Sequence, residues 1–503
     1  MFSCSKNIED PGIIEPGDGG QSTIKTTLTK VPLDNQLYAR NTKGDCIITI
    51  AGTSAKYNSI AITIKKEGAA AQHIEAVVTR GEFSKEVIIN AELKNYTFDI
   101  FGKEGATSAL IEQVKNVVCG DVYVIHGQSN AWAQDYDNKY NDNDLPASAD
   151  WVRTIGAMHV YSKSAILPHA RDTLWYKARG KAPDLSMQEY VGSGMVGVLG
   201  INLGVKLVDS LNVPIAIING AGGGGSIDHY LSSADSHQNT PYDRLSYRLN
   251  KGGVRNAIKG FVWNQGESNG NASVDSYKSA LKNLYNSLNS DFSFEKFYLV
   301  QTPPGCASLG NHAGVREAQR QFAVENENIR LMTRHGFLPD QNNNGNYFLS
   351  DGCHYHAHAY ETLANWIGNL ILDDFYDRKL EYDVPKIVDV TYAQSADSIF
   401  IKYDRAITVQ QSLSVAGVSY DLKDFISISS SSVSVTEVGK TTNDEGKVMY
   451  LKLSGVAPNT SSKLTYLTHE NYPSTSKPYI GPWITSLNSG VGAPGFVYEL
   501  PPF

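Results

Sequence analysis

The hydrophobic pattern of the chain changes period twice, and this limits the fold more than any other feature. Residues from about 24 to 118 alternate apolar and polar positions, as in CIITIAG, SIAITIKK, EVIINAEL and YTFDIFG. Short period-two runs between turn residues predict an antiparallel β domain. From 119 to 380 the texture is different. Short apolar runs at Val122–His126, Pro214–Ile218, Gly260–Trp263, Phe297–Val300 and Ile329–Met332 alternate with helical patterns. Val274, Tyr277, Leu281, Leu284, Tyr285 and Leu288 share one helical face. A second helix begins near Gly314 with VREAQRQFAVE. A third carries Leu363, Trp366, Ile367, Leu370 and Ile371 at helical spacing. Alternation of this kind predicts βαβ units and a parallel sheet. Past Pro385, period-two runs return in KIVDVTYA, SIFIKYD, VMYLKLSG and KLTYLTH. The predicted organisation is a tether over 1–23, a β domain over 24–118, an α/β domain over 119–380, and a β-sandwich-like domain over 384–503.

A chain of 503 residues is too long for one ordinary core, so several domains are expected. The net charge of −8 and the lack of a long basic run argue against nucleic acid as a partner. No stretch has the apolar length of a transmembrane helix. The five cysteines form no CxxC pair, which argues against a zinc ribbon. One disulfide is compatible with the count, and the sequence does not say which. Cys4 follows a small residue and precedes a polar, Gly/Pro-rich stretch. That is the look of a bacterial lipoprotein after signal removal. The expectation is a lipid anchor at Cys4 and a cell-envelope location, periplasmic or surface, or else secretion.

In open parallel sheets, sites collect beyond the carboxyl ends of the strands. The segments just past the strands here are Gly127-Gln128-Ser129, then NGAGGGGSIDHY, NQGESN and SDGCHYHAHAY. A serine becomes a nucleophile when a base takes its proton. Asp351 and His354 are three apart, so a single turn through Gly352 can set the carboxylate beside the imidazole. The Gly222–Gly225 run offers backbone N–H donors to a developing oxyanion, and Gln265 offers a side-chain amide. His354, His356 and His358 alternate. A helical continuation would scatter them, so no metal and no cofactor are expected. His126 reads as a core histidine.

GQSN, GGGGSID, WNQGESN and DGCH together resemble the four blocks of the SGNH hydrolase superfamily. More narrowly they are similar to its sialate O-acetylesterase-like and acetylxylan-esterase-like branch. VREAQRQF and the closing NSGVGAPGF resemble that branch as well. The resemblance implies a flavodoxin-like three-layer αβα catalytic domain with a five-stranded parallel sheet, flanked by all-β domains at both ends. It implies Ser129 as nucleophile, His354 as general base and acid, and Asp351 as its orienting group. Ser129, Gly224 (with Gly225 as the near alternative) and Gln265 would form the oxyanion hole. Asn264 is adjacent to Gln265 but would point the other way in a continuing strand. Tyr136, Trp175, Tyr230 and Glu267 are candidate substrate contacts, and 132–192 a candidate sugar-facing rim. The expected activity is removal of O-acetyl groups from sialic acid or xylan-type glycans through an acyl-serine. The rivals are another acyl ester on the same machinery and a non-catalytic glycan-binding protein of the same fold. An α/β-hydrolase is disfavoured because Ala131 stands where its nucleophile elbow has glycine.

Overall fold

The structure is a computed structural model. It describes residues 26–159, 173–181, 190–231, 240–304, 306, 312–338, 347–415, 418–429, 433–442, 444–457, 461–467 and 479–500. Cys4 and its tether lie outside the described residues.

The first period-two region forms two facing antiparallel sheets. One contains Thr26–Lys30, Asp45–Ser54 and Glu82–Asn90, with the middle strand between the others. The other joins Gln72–Val77, Ser59–Lys66 and Tyr96–Glu104 to the first part of a 21-residue strand, Thr107–Gly127. Alternate residues Ile48, Ile50, Ile60, Ile62, Phe98 and Ile100 meet in a core of their own. That inward alternation is why the sequence shows a period of two.

Thr107–Gly127 does not stop at the edge of this region. Its first half pairs antiparallel with Tyr96–Glu104 as far as Val117. From Asp121 onward it pairs in parallel with Ile215–Asn219 on one side, and from Val122 with Ile258–Asn264 on the other. One strand therefore serves both sheets, and no linker separates them. Asp121 marks the changeover. Its buried carboxylate accepts from Arg40 Nε at 2.7 Å and from the Tyr376 hydroxyl at 2.5 Å, and it pairs with Lys259 at 3.2 Å. Burial pushes this carboxyl up, but its cationic neighbours and hydrogen bonds hold it below the ordinary range.

The parallel strands run in the order Val152–Ile155, Ile215–Asn219, Thr107–Gly127, Ile258–Asn264, Lys296–Val300 and Ile329–Met332. Trp175–Lys177 adds an antiparallel strand outside Val152–Ile155. The expectation of five parallel strands is corrected to six. Val152–Ile155 lies in a stretch expected to be a rim, yet all four of its residues are buried. Among the described residues six helices accompany the sheet: α1 Ser129–Trp132, α2 Gly197–Leu211, α3 Pro241–Gly252, α4 Val274–Phe292, α5 Ala313–Val324 and α6 Ala357–Tyr376. Ser273 caps α4 by accepting from the Ser276 N–H, and Thr240 caps α3 with proline at its first position. Among the described residues no helix is long and apolar enough to cross a membrane.

The C-terminal region builds a four-stranded sheet from Ile387–Tyr392, Ser398–Tyr403, Val448–Leu453 and Val435–Lys440, a three-stranded sheet and smaller pairs. Its core is continuous with that of the α/β region. The NSGVGAPGF segment makes part of this junction. Gly495 exchanges hydrogen bonds with the Gln301 side chain, and Gly492 donates to the His335 carbonyl. Those partners sit just past two parallel strands, so the end of the chain clamps the carboxyl edge of the sheet.

Candidate active site

Gly127 ends the central strand with φ +133, a conformation that favours glycine, and a Cβ there would lie 2.1 Å from the Asn264 carbonyl oxygen. The tight passage turns the chain into α1, a single helical turn with Ser129 as its first residue. Ser129 is half-buried, and its Oγ lies 2.8 Å from His354 Nε2. His354 Nδ1 lies 2.5 Å from Asp351 Oδ2. The other carboxylate oxygen of Asp351 accepts from the Cys353 and His354 backbone N–H groups at 2.9 and 3.0 Å. Burial pushes the Asp351 carboxyl up, but these bonds hold it below the usual carboxylate range. It stays ionised at neutral pH and fixes the imidazole tautomer that leaves Nε2 facing the serine. Gly352, at φ +66, makes the turn that brings the two together.

Two further features hold this turn. Cys353 is disulfide-bonded to Cys306, closing a 47-residue loop. Tyr136 stands against the His354 ring with centroids 4.4 Å apart, and its hydroxyl donates to the Ser129 carbonyl at 3.1 Å. Loop-closure entropy sets the expected result for Cys306→Ser. Its stability should fall by roughly 3–4 kcal/mol. Urea unfolding in the absence and presence of reductant measures the difference.

Beneath the serine, Asn130 ties the two halves of the site together. Its Nδ2 donates to the Cys353 carbonyl at 3.1 Å and to Glu267 Oε1 at 2.8 Å, while its Oδ1 accepts from Tyr360 at 2.7 Å. Glu267 is fully buried and ion-paired with Arg334 at 2.8 Å, itself buried over the Tyr355 ring. Burial pushes the Glu267 carboxyl up, but Arg334 and Asn130 hold it below its ordinary value. The expectation that Glu267 touches substrate is therefore corrected: it lies under the site as a brace.

Three other expectations change. Gln265 is fully buried, and its Nε2 donates to the Asn269 side chain at 2.7 Å and the Gly225 carbonyl at 3.2 Å, while Oε1 accepts from Tyr277. Both amide N–H groups are committed, so Gln265 positions the glycine loop and does not face an oxyanion directly. Tyr230 is fully buried with its hydroxyl on the Gly222 carbonyl at 2.7 Å, so it plugs the floor of the glycine loop. Trp175 is buried on the edge strand and packs over Gly252. Neither aromatic ring is available to a sugar. Gly224 is exposed at φ +73 with open space about it, whereas Gly225 is buried against His229. Among the described residues nothing accepts from the Ser129 or Gly224 backbone N–H. His126 is a core residue, its Nδ1 2.9 Å from the Gly220 carbonyl oxygen, and burial lowers it to about 3. His356 pairs with Asp137 at 2.6 Å. His358 is the second residue of α6.

The sequence allowed one disulfide without assigning it to Cys306 and Cys353, and it gave no sign of Arg334. The bridge had a signal in the cysteine count. Arg334 had none, because its partner Glu267 lies 67 positions away.

Residues 119–373, just over half of the chain, match the family described as carbohydrate esterase, sialic acid-specific acetylesterase. The chain belongs to this carbohydrate esterase family. The protein is thus a carboxylic ester hydrolase of the SGNH α/β type, with β-rich regions on either side. No curated protein matches it in sequence. Among solved structures, the esterase is similar to a carbohydrate acetylesterase from Xanthomonas citri. That likeness has a TM-score of 0.60 at 17% identity and covers 94% of this chain and 99% of that one. At this identity the likeness speaks to the fold. A protein from Arabidopsis thaliana is 19% identical over 51% of this chain and 98% of its own, with a TM-score of 0.37. A family two carbohydrate esterase from Cellvibrio japonicus is 10% identical over 69% and 98%, with a TM-score of 0.28.

Proposed function

We propose that this esterase removes O-acetyl groups from glycans through an acetyl-serine intermediate on Ser129. The observation that carries the reading is the continuous Ser129–His354–Asp351 chain, with contacts of 2.8 and 2.5 Å. His354 Nε2 takes the Ser129 proton as Oγ attacks the acetyl carbonyl carbon. The carbonyl oxygen becomes an oxyanion facing the Ser129 and Gly224 backbone N–H groups. When the tetrahedral species collapses, the bond to the sugar oxygen breaks and His354 returns the proton to the leaving alcohol. Water, deprotonated by the same imidazole, then attacks the acetyl-serine, and acetate leaves with Ser129 restored. Asp351 holds the imidazole and stabilises its protonated form.

Gln265 acts in this reading through Gly225 and Asn269. Truncating a direct oxyanion donor costs about 10²–10³-fold in kcat. Gln265→Ala is expected to cost less than about 10²-fold, measured as kcat on a small chromogenic acetate. Acetate release from acetylated xylan and from O-acetylated sialic acid tests the function itself. Activity on acetyl esters that disappears in Ser129→Ala supports the reading, and no activity on any acetyl ester overturns it. For location, the reading is extracytoplasmic with a lipid on Cys4. The Cys306–Cys353 bridge favours an oxidising compartment, and mass spectrometry of the N-terminal peptide from native cells tests the lipid.

A further inference from the structure

The triad histidine is carried at the tip of a short hairpin-like loop, and that tip is held together from within. Phe348 pairs with Tyr355 across its base. The Leu349 N–H donates to the His354 carbonyl at 2.8 Å, and the Gly352 N–H donates to the Leu349 carbonyl at 2.9 Å. The Asp351 carboxylate closes the tip on itself through the Cys353 and His354 N–H groups and the His354 ring. These bonds fix the shape of the Asp351–His354 unit. None of them reaches Ser129, which arrives on another strand, so they do not set how far the imidazole stands from the nucleophile. Other contacts tie the tip to the rest of the site. Asn130 donates to the Cys353 carbonyl at 3.1 Å, and Tyr136 lies against the His354 ring. The covalent tie is Cys353 itself, between Asp351 and His354. It is bonded to Cys306, which follows the end of Lys296–Val300, and the two Cα atoms are 4.4 Å apart. Cys306 and Cys353 are both buried.

We propose that Cys306 and Cys353 are a positioning pair for catalysis, and that opening their bridge lowers kcat while the protein stays folded. The proposal rests on the reading of Ser129 as nucleophile. With both thiols free, the internal bonds keep Asp351 on His354, but the unit as a whole can move against Ser129. A reacting group misplaced by about 1 Å costs on the order of 10²-fold in rate. Proton transfer between Ser129 and His354 belongs to the transition state and not to binding of a small acetyl ester. The loss therefore falls on kcat and not on KM. This role is distinct from loop closure, which acts on the unfolded chain and leaves the kcat of folded molecules unchanged. It makes the site redox-sensitive, fully active where disulfides persist and weak where thiols are kept reduced.

The test compares the oxidised enzyme, the same preparation treated with dithiothreitol, and a Cys306→Ala/Cys353→Ala double variant. Dithiothreitol delivers two electrons and two protons to the bridge, leaves two thiols and becomes a cyclic disulfide. Alkylation and peptide mass mapping show whether Cys306 and Cys353 have opened, against Cys46 and Cys119, which are free thiols from the start. Near-UV circular dichroism reports the folded fraction. On a small chromogenic acetate, kcat per folded molecule is expected to fall by about ten-fold or more, with KM within about two-fold of the oxidised enzyme. Oxidised glutathione is expected to restore the rate of the reduced wild type and not that of the double variant. Unchanged kcat in the folded, bridge-free protein overturns the proposal. So does activity lost only in step with the near-UV signal, because the bridge then serves the fold alone. A bridge that dithiothreitol does not open leaves the double variant to decide by the same two criteria. Failure of the oxidised wild type to cleave any acetyl ester, or full activity in Ser129→Ala, is the separate result that removes the reading on which the proposal rests.

Discussion

Ser129→Ala is expected to lower kcat on acetyl esters by on the order of 10⁴-fold or more, and His354→Ala by a similar factor. The double variant should lose no more than the worse single one. In the proposed mechanism the serine and histidine act as one unit joined by the 2.8 Å contact, so removing either leaves the other without a task. On that proposal the residual rate reports what the Ser129 and Gly224 amides supply by themselves. Steady-state rates of the two single variants and the double variant check this. Losses that multiply in the double variant would mean that the two residues work independently, contrary to the geometry.

The second large effect is expected in stability. Arg334→Ala should cost roughly 3–5 kcal/mol, because it leaves the Glu267 carboxylate buried without its cation. Glu267 and Arg334 are almost wholly shielded from solvent, so screening does not soften the loss. Removing both charges together, as in Glu267→Gln with Arg334→Met, should recover much of it. Denaturant midpoints of the three variants decide the matter. The same pair gives a pH dependence. The folded-state carboxyl of Glu267 lies below its unfolded value, so its contribution is fully present above the ordinary glutamate range, near pH ~4.3. It is lost as pH falls through the lower, folded value. Asn130 leans on the same carboxylate and reaches the Cys353 carbonyl beside His354, so activity should decline with this brace.

The parts of the molecule readable from sequence are those fixed by local pattern. Alternation in SIAITIKK follows from one buried face, and the strand ends at Gly127, Asn219 and Asn264 follow from apolar runs meeting polar turns. Asp351 and His354 were legible because one short turn contains both. What the sequence concealed was set by partners far along the chain. Tyr230 and Trp175 have the composition of sugar platforms, but contacts with Gly222 and Gly252 turn them inward. Gln265 stands next to Asn264 at a strand end, and only Asn269, Gly225 and Tyr277 determine where its amide points. Val152–Ile155 is too short and too polar in VRTI to announce a parallel strand. It becomes one because Ile215–Asn219 offers it a free edge. The change of pattern placed near residue 118 gave no sign that one strand, Thr107–Gly127, runs through it, because the same residue types suit an antiparallel face and a parallel core.

Rapid-quench peptide mapping with a chromogenic acetate tests the central claim most directly. The account predicts an acetyl group on the peptide bearing Ser129 during turnover, absent in Ser129→Ala. Full turnover with no acetylation of that peptide, together with undiminished activity of Ser129→Ala, would contradict it.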